Sequence, residues 1–223
     1  MSHVLAKLRV EASALVRKLT GEKARARAQA DAEFEAAVAG LTAGDLAIDL
    51  GANMGIFTEK MAATGADVVA FEPDPHAFEA LSKRVGGLKN VTLINAAAAD
   101  TSGAMTLYRH VNFSDAPDKH STGSSLVEGK SRTNDEMAVE VDVVDFPAFL
   151  EKTARPVALL KVDIEGAEVA LIEALLRSPS GKLVDKMFVE THERVLPQLA
   201  ARTRALKAQT SGRVAPAINW DWR

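Results

Sequence analysis

Two carboxylates, Asp49 and Glu72, stand at the ends of short apolar runs at 46–50 and 67–71, and each is followed by a residue pattern that brings backbone close to a ligand. After the first comes Asp49-x-Gly51-x-Asn53-x-Gly55, a glycine turn of the kind that lets a bound molecule approach the main chain. A dinucleotide fingerprint G-x-G-x-x-G beginning at Gly51 needs glycine at 53 and 56, where this chain has Asn53 and Ile56. A carboxylate at this turn repels a pyrophosphate and holds an ammonium group. Glu72 lies 21 positions after Gly51, the place from which a carboxylate accepts both hydroxyls of a ribose, although it could also cap the helix opened by Pro73-Asp74-Pro75. Two later runs, 157–162 and 186–190, end in Asp163-Ile164-Glu165-Gly166-Ala167-Glu168 and Thr191-His192-Glu193. Imidazole and carboxylates on one rim are groups that can take a proton from a reacting hydroxyl.

A ribose and an ammonium without a diphosphate describe S-adenosyl-L-methionine. Asp49, Gly51, Ala52, Asn53, Gly55, Glu72 and Pro73 are its expected contacts, together with Ala97, whose alanine-rich surroundings leave room for a flat base. Asp163 is expected to touch the cofactor and to act with His192 and Glu165 at the reacting centre, His192 or Asp163 as base and Glu165 orienting the acceptor. Glu168 falls in the first turn of a helix, where it favours the dipole. No metal is assigned, although Asp163, Glu165, Glu190 and His192 offer donors that suit Mg²⁺ or Mn²⁺. Two other classes stay open: a dinucleotide-dependent oxidoreductase and a cofactor-binding scaffold without catalysis.

The elements that must position these groups alternate. Apolar runs at 46–50, 67–71, 91–95, 157–162 and 186–190 have the look of strands buried on both faces, and 56–64, 75–85 and 167–177 carry helical spacing. The order predicts a doubly wound α/β domain, a mostly parallel sheet with helices on both faces. Residues 105–110 and 137–143 alternate as strands do, and the polar stretch 112–134 between them reads as an inserted loop, giving an insert at about 110–136. Ahead of this body, 4–19 and 22–40 form amphipathic and Ala/Glu/Arg-rich helices, so 1–43 is expected to be a helical extension packed on a domain at 44–223. Trp220 and Trp222 suit an edge strand or an oligomer contact.

Composition excludes several classes. The 223 residues contain no cysteine, hence no disulfide framework, thiolate metal site or cysteine nucleophile. Net charge is −3, with seven bases against two acids in residues 1–30 and an acidic remainder, which argues against general nucleic-acid binding. No apolar stretch reaches the roughly 20 residues that span a bilayer, so a cytoplasmic protein is expected. The basic N-terminal helix could still touch an anionic membrane surface.

The Asp49-x-Gly51-x-Asn53-x-Gly55 turn, Phe71-Glu72-Pro73, Lys161-Val162-Asp163-Ile164-Glu165-Gly166-Ala167-Glu168 and Glu190-Thr191-His192 together resemble the FkbM-type methyltransferase family over residues 45–193. The resemblance implies a Rossmann-like methyltransferase fold, S-adenosylmethionine as donor, and a hydroxyl acceptor on a sugar, glycolipid or secondary metabolite. It assigns cofactor contacts to Asp49, Gly51, Asn53, Gly55 and Glu72 and the substrate edge to Lys161, Asp163, Glu165 and His192. Ser124-Ser125-Leu126 is similar to the family's small polar segment before its last strands.

Overall fold

The computed structural model describes residues 21–115, 124–125 and 133–222. The helix expected at 4–19, and with it any membrane contact of the basic N-terminus, lies outside these residues, as does most of the 112–134 insert.

Six parallel strands form the main sheet: β1 Leu46–Leu50, β2 Asp67–Phe71, β3 Val91–Ile94, β7 Val157–Val162, β8 Val184–Val189 and β9 Ala217–Asn219, in the order β3-β2-β1-β7-β8-β9. All five residues of β1 are buried, as a strand covered on both faces requires. The chain winds one way through β1, β2 and β3 and the other way through β7, β8 and β9. The reversal therefore falls between β1 and β7, where the ends of parallel strands open a crevice for ligands.

Helices α1 Glu22–Ala39, α2 Ile56–Ala62, α3 Pro75–Val85, α4 Phe146–Thr153, α5 Glu168–Arg177 and α6 Ala200–Thr210 surround the sheet. Pro75 and Pro147 sit in the first turns of α3 and α4, where no intrahelical N–H is lost, and Asp74 and Asp145 cap these helices through the N–H groups of His76 and Ala148. α1 packs on the body through Ala30, Phe34 and Val38. The Phe34 ring lies 5.3 Å from Phe57, 5.2 Å from Phe188 and 4.9 Å from Trp222. Burying such a ring contributes about 2 kcal/mol. Trp222 is thus an internal anchor for the end of the chain, beyond the edge strand β9.

The third strand departs from expectation. It ends at Ile94, and Ala97–Ala99 instead begins a second sheet as β4, parallel to β6 Thr133–Asp145, which pairs antiparallel with β5 Gly103–His110. The chain is held at the departure by Asn95, whose side-chain amide donates to the carbonyls of Glu72 (2.8 Å) and Pro73 (3.3 Å). The two strands expected at 105–110 and 137–143 are present and longer. Arg109 on β5 ties this sheet back to the main one with two bonds to Asp74, at 2.8 and 2.9 Å, and stacks 4.4 Å above Phe113. Among the described residues no helix is long and apolar enough to cross a membrane.

Candidate active site

Where β1 and β7 end, Gly51 turns with φ +76° and presses against the carbonyl of Asp163 so closely that a Cβ would sit 1.8 Å from that oxygen. Only glycine fits there. The N–H groups of Gly51 and Ala52 donate to the Phe71 carbonyl, which joins the turn to the end of β2. One residue on, the Asn53 N–H donates to Glu72 Oε2 and the Asp74 N–H to Oε1, both at 2.8 Å. Each Glu72 oxygen keeps a lone pair free. Burial raises the Glu72 pKa to about 7, and the two backbone donors offset only part of that desolvation.

A cavity opens between the two sheets. Gly51, Asn53, Glu72 and Pro73 form one side, Ala96–Ala98 and Phe71 another, Leu107 comes from β5, Ser124 and Ser125 from the insert, and Asp163, Ile164 and Glu165 close the β7 side. Among the described residues three carboxylates line it, and no lysine or arginine does. Such a lining suits a cationic, phosphate-free ligand and opposes a diphosphate.

Asp49, Ala52 and Gly55 are not on the cavity wall. Asp49 is fully buried behind the turn, accepting from Thr58 Oγ1 at 2.7 Å and paired with Lys161 Nζ at 2.9 Å. The ammonium that Asp49 was expected to receive from a ligand comes from inside the chain. Lys161 is equally buried, so it does not stand at the substrate edge. Its Nζ donates to the Gly51 carbonyl at 2.8 Å, and the charges of Asp49 and Asp163 raise its pKa against the opposing effect of burial. Gly55 starts α2 and faces Leu81 and Arg84.

Asp163 does reach the cavity. Its side chain is a quarter exposed, with Oδ2 3.9 Å from Lys161 Nζ and Oδ1 3.9 Å from His192 Nε2. Burial raises its pKa to about 7, opposed by Lys161 and assisted by Glu190 and Glu165. Glu165 is held at φ +56°, an uncommon conformation for a side-chain-bearing residue, while its carbonyl accepts from Ser125 Oγ at 2.6 Å. Glu168 does more than favour a helix dipole. It accepts from the N–H groups of Ile164 and Gly166 and from His192 Nδ1, fixing the loop that carries Asp163 and Glu165.

The geometry corrects the reading of His192 as a base. Its Nε2 faces Glu165 and its Nδ1 faces Glu168, each at 2.9 Å. Burial opposes the charge, yet the two carboxylates outweigh it and push the pKa up to about 11. Carboxylates facing both nitrogens favour the imidazolium, in which both nitrogens donate, and so disfavour a role as base. Asp163, Glu165 and His192 have ligand atoms within 4.8 Å of one another, close enough to hold a divalent ion. An ion there would have to displace the proton from His192 Nε2, since metal binding requires the neutral imidazole.

The structure thus brings together Gly51, Asn53, Glu72, Pro73, Ala97, Asp163 and Glu165 on one cavity, with His192 supporting it. Leu107, Ile164 and the serine pair complete the wall. Of these only the serine pair had a sequence signal, the likeness of Ser124-Ser125-Leu126 to the family's small polar segment. No curated protein matches the chain. The family description of the methyltransferase FkbM domain matches residues 49–206, the span that carries the small sheet and every described residue of the cavity, and the chain belongs to that methyltransferase family.

Proposed function

We propose that the protein is an S-adenosylmethionine-dependent O-methyltransferase acting on a hydroxyl of a sugar, glycolipid or secondary metabolite. The carrying observation is a cavity with Glu72 on one side and Asp163 on the other, lined by three carboxylates and, among the described residues, by no lysine or arginine. Glu72, its oxygens oriented by Asn53 and Asp74, accepts the two ribose hydroxyls. The donor supplies an electrophilic methyl group on a sulfonium. The chain's task is to align an acceptor oxygen with it and to receive the acceptor's proton, and alignment alone is worth several kcal/mol, on the order of 7 or more in well-oriented systems.

Asp163 is the base in this reading. Its pKa of about 7 leaves it substantially ionised at neutral pH and matched to taking a proton as the O–C bond forms. With the donor bound, Asp163 would take the hydroxyl proton of an acceptor aligned with the methyl group. Glu165 orients the acceptor. His192 is a positioning residue that keeps Glu165 and Glu168 apart and lowers the Asp163 pKa through its charge.

Mass spectrometry tests this directly. Incubation with S-adenosylmethionine and a panel of hydroxylated sugars, glycolipids and polyketide alcohols is expected to add the mass of one CH₂ to at least one hydroxyl-bearing acceptor. Amine- or carboxylate-only products would refute O-methylation.

A further inference from the structure

Of the cavity's polar side chains, Asn53, Glu72, Ser125 and Glu165 have hydrogen-bond or ion-pair partners, and Asp163 sits between Lys161 and His192. Ser124 differs. It is 6% exposed, its Oγ is sheltered from bulk water, and it has no hydrogen-bond partner among the described residues. A buried hydroxyl left without a partner costs free energy that a structure ordinarily avoids.

Its placement is not accidental slack in a loose loop. Ser125, the next residue, is held on both sides: its N–H and carbonyl exchange bonds with Tyr108 of β5 at 2.9 and 2.8 Å, and its Oγ donates to the Glu165 carbonyl. The two-residue strap therefore runs from the small sheet to the loop carrying Glu165, with Ser124 fixed against the cavity. The same cavity is lined by apolar residues from both sheets, Leu107 of β5 and Phe71 with Ala96–Ala98 at the end of β2 and the start of β4. Such an apolar lining suits the faces of a flat heteroaromatic base. The polar edge of the base still requires a partner.

We propose that Ser124 Oγ binds the polar edge of the adenine ring, so that the serine strap recognises the nucleoside and couples its arrival to the loop carrying Glu165. The proposal rests on the donor reading above. Glu72 takes the ribose and Asp163 stands at the reacting end, which leaves Ser124 as the partner available for the base.

Calorimetry with S-adenosylhomocysteine and with 5′-methylthioadenosine, which keeps base and ribose but lacks the amino-acid tail, tests it on Ser124→Ala. The expected result is a loss of affinity of about five- to tenfold for both probes, the size of one neutral hydrogen bond. The melting temperature of the unliganded variant should be unchanged or higher, because no bond is removed in that state. A folding defect would lower it, and that outcome overturns the unpartnered state on which the inference stands. Unaltered affinity for both probes, or a loss seen only in the acceptor KM, also overturns it. Failure of the wild-type chain to bind S-adenosylhomocysteine at all would instead refute the donor reading, and this inference with it.

Discussion

Replacing Asp163 by Asn is expected to lower kcat by about a hundredfold to ten-thousandfold, the range over which a positioned base contributes, while affinity for S-adenosylhomocysteine changes by less than about tenfold. The amide keeps the shape of the side chain and its place at the end of β7 but cannot receive a proton. The wild-type pH profile provides the matching signature. Because burial raises the Asp163 pKa to about 7, the reactive carboxylate is lost as pH falls below that value. kcat/KM should therefore rise with pH up to about 7 and level off above it. Asp163→Asn should abolish that limb. His192→Ala should displace it toward higher pH, since the imidazolium that lowers the Asp163 pKa is gone. A merely structural role for His192 would reduce activity without moving the limb. Retention of wild-type turnover by Asp163→Asn would remove the carboxylate from the reaction.

Lys161→Met is expected to have the largest effect on stability, about 3–5 kcal/mol, because it leaves the fully buried Asp49 carboxylate without its cation. The same ammonium also holds the Gly51 carbonyl, so the turn that shapes the cavity loosens with it. Urea denaturation should show a large drop in the midpoint, with weakened binding of S-adenosylhomocysteine in the fraction that remains folded. Asp49→Asn alone strands the lysine instead. Combining Asp49→Asn with Lys161→Met removes both charges, and the double variant should be more stable than the sum of the single losses by well over 1 kcal/mol, as expected for directly paired groups. Strict additivity would mean that the two charges do not support one another.

These two expectations mark what could and could not be read from the residues. Five strands of the main sheet, β1, β2, β3, β7 and β8, were legible as apolar runs separated by helical spacing, whereas the strand order and the short edge strand β9 depend on pairings no local run discloses. Gly51 and Glu72 were legible for a similar reason: each sits at a strand end with a local pattern that limits its role. Asp49 was misplaced because its partner is set by register. It lies beside Lys161 on the adjacent parallel strand, a neighbour relation between residues far apart in sequence that no local pattern discloses. His192 posed the same difficulty, since its charge depends on the convergence of Glu165 and Glu168 from another loop. Ala97 was correctly placed at the cavity although its strand belongs to the second sheet, since short runs of alanine do not reveal which sheet they join. The serine strap depends on a bridge to Tyr108, equally invisible in a polar stretch.

The central claim is that Glu72 and the carboxylates among the described cavity residues select a positively charged nucleoside over a diphosphate. Isothermal titration of the wild-type chain with S-adenosylmethionine, S-adenosylhomocysteine and NAD measures it most directly. Both sulfur nucleosides should bind and NAD should not, with affinity greater at pH 8 than at pH 6, because Glu72 titrates near pH 7 and accepts ribose hydroxyls best as the carboxylate. Tight uptake of NAD with no heat from either sulfur nucleoside would contradict it.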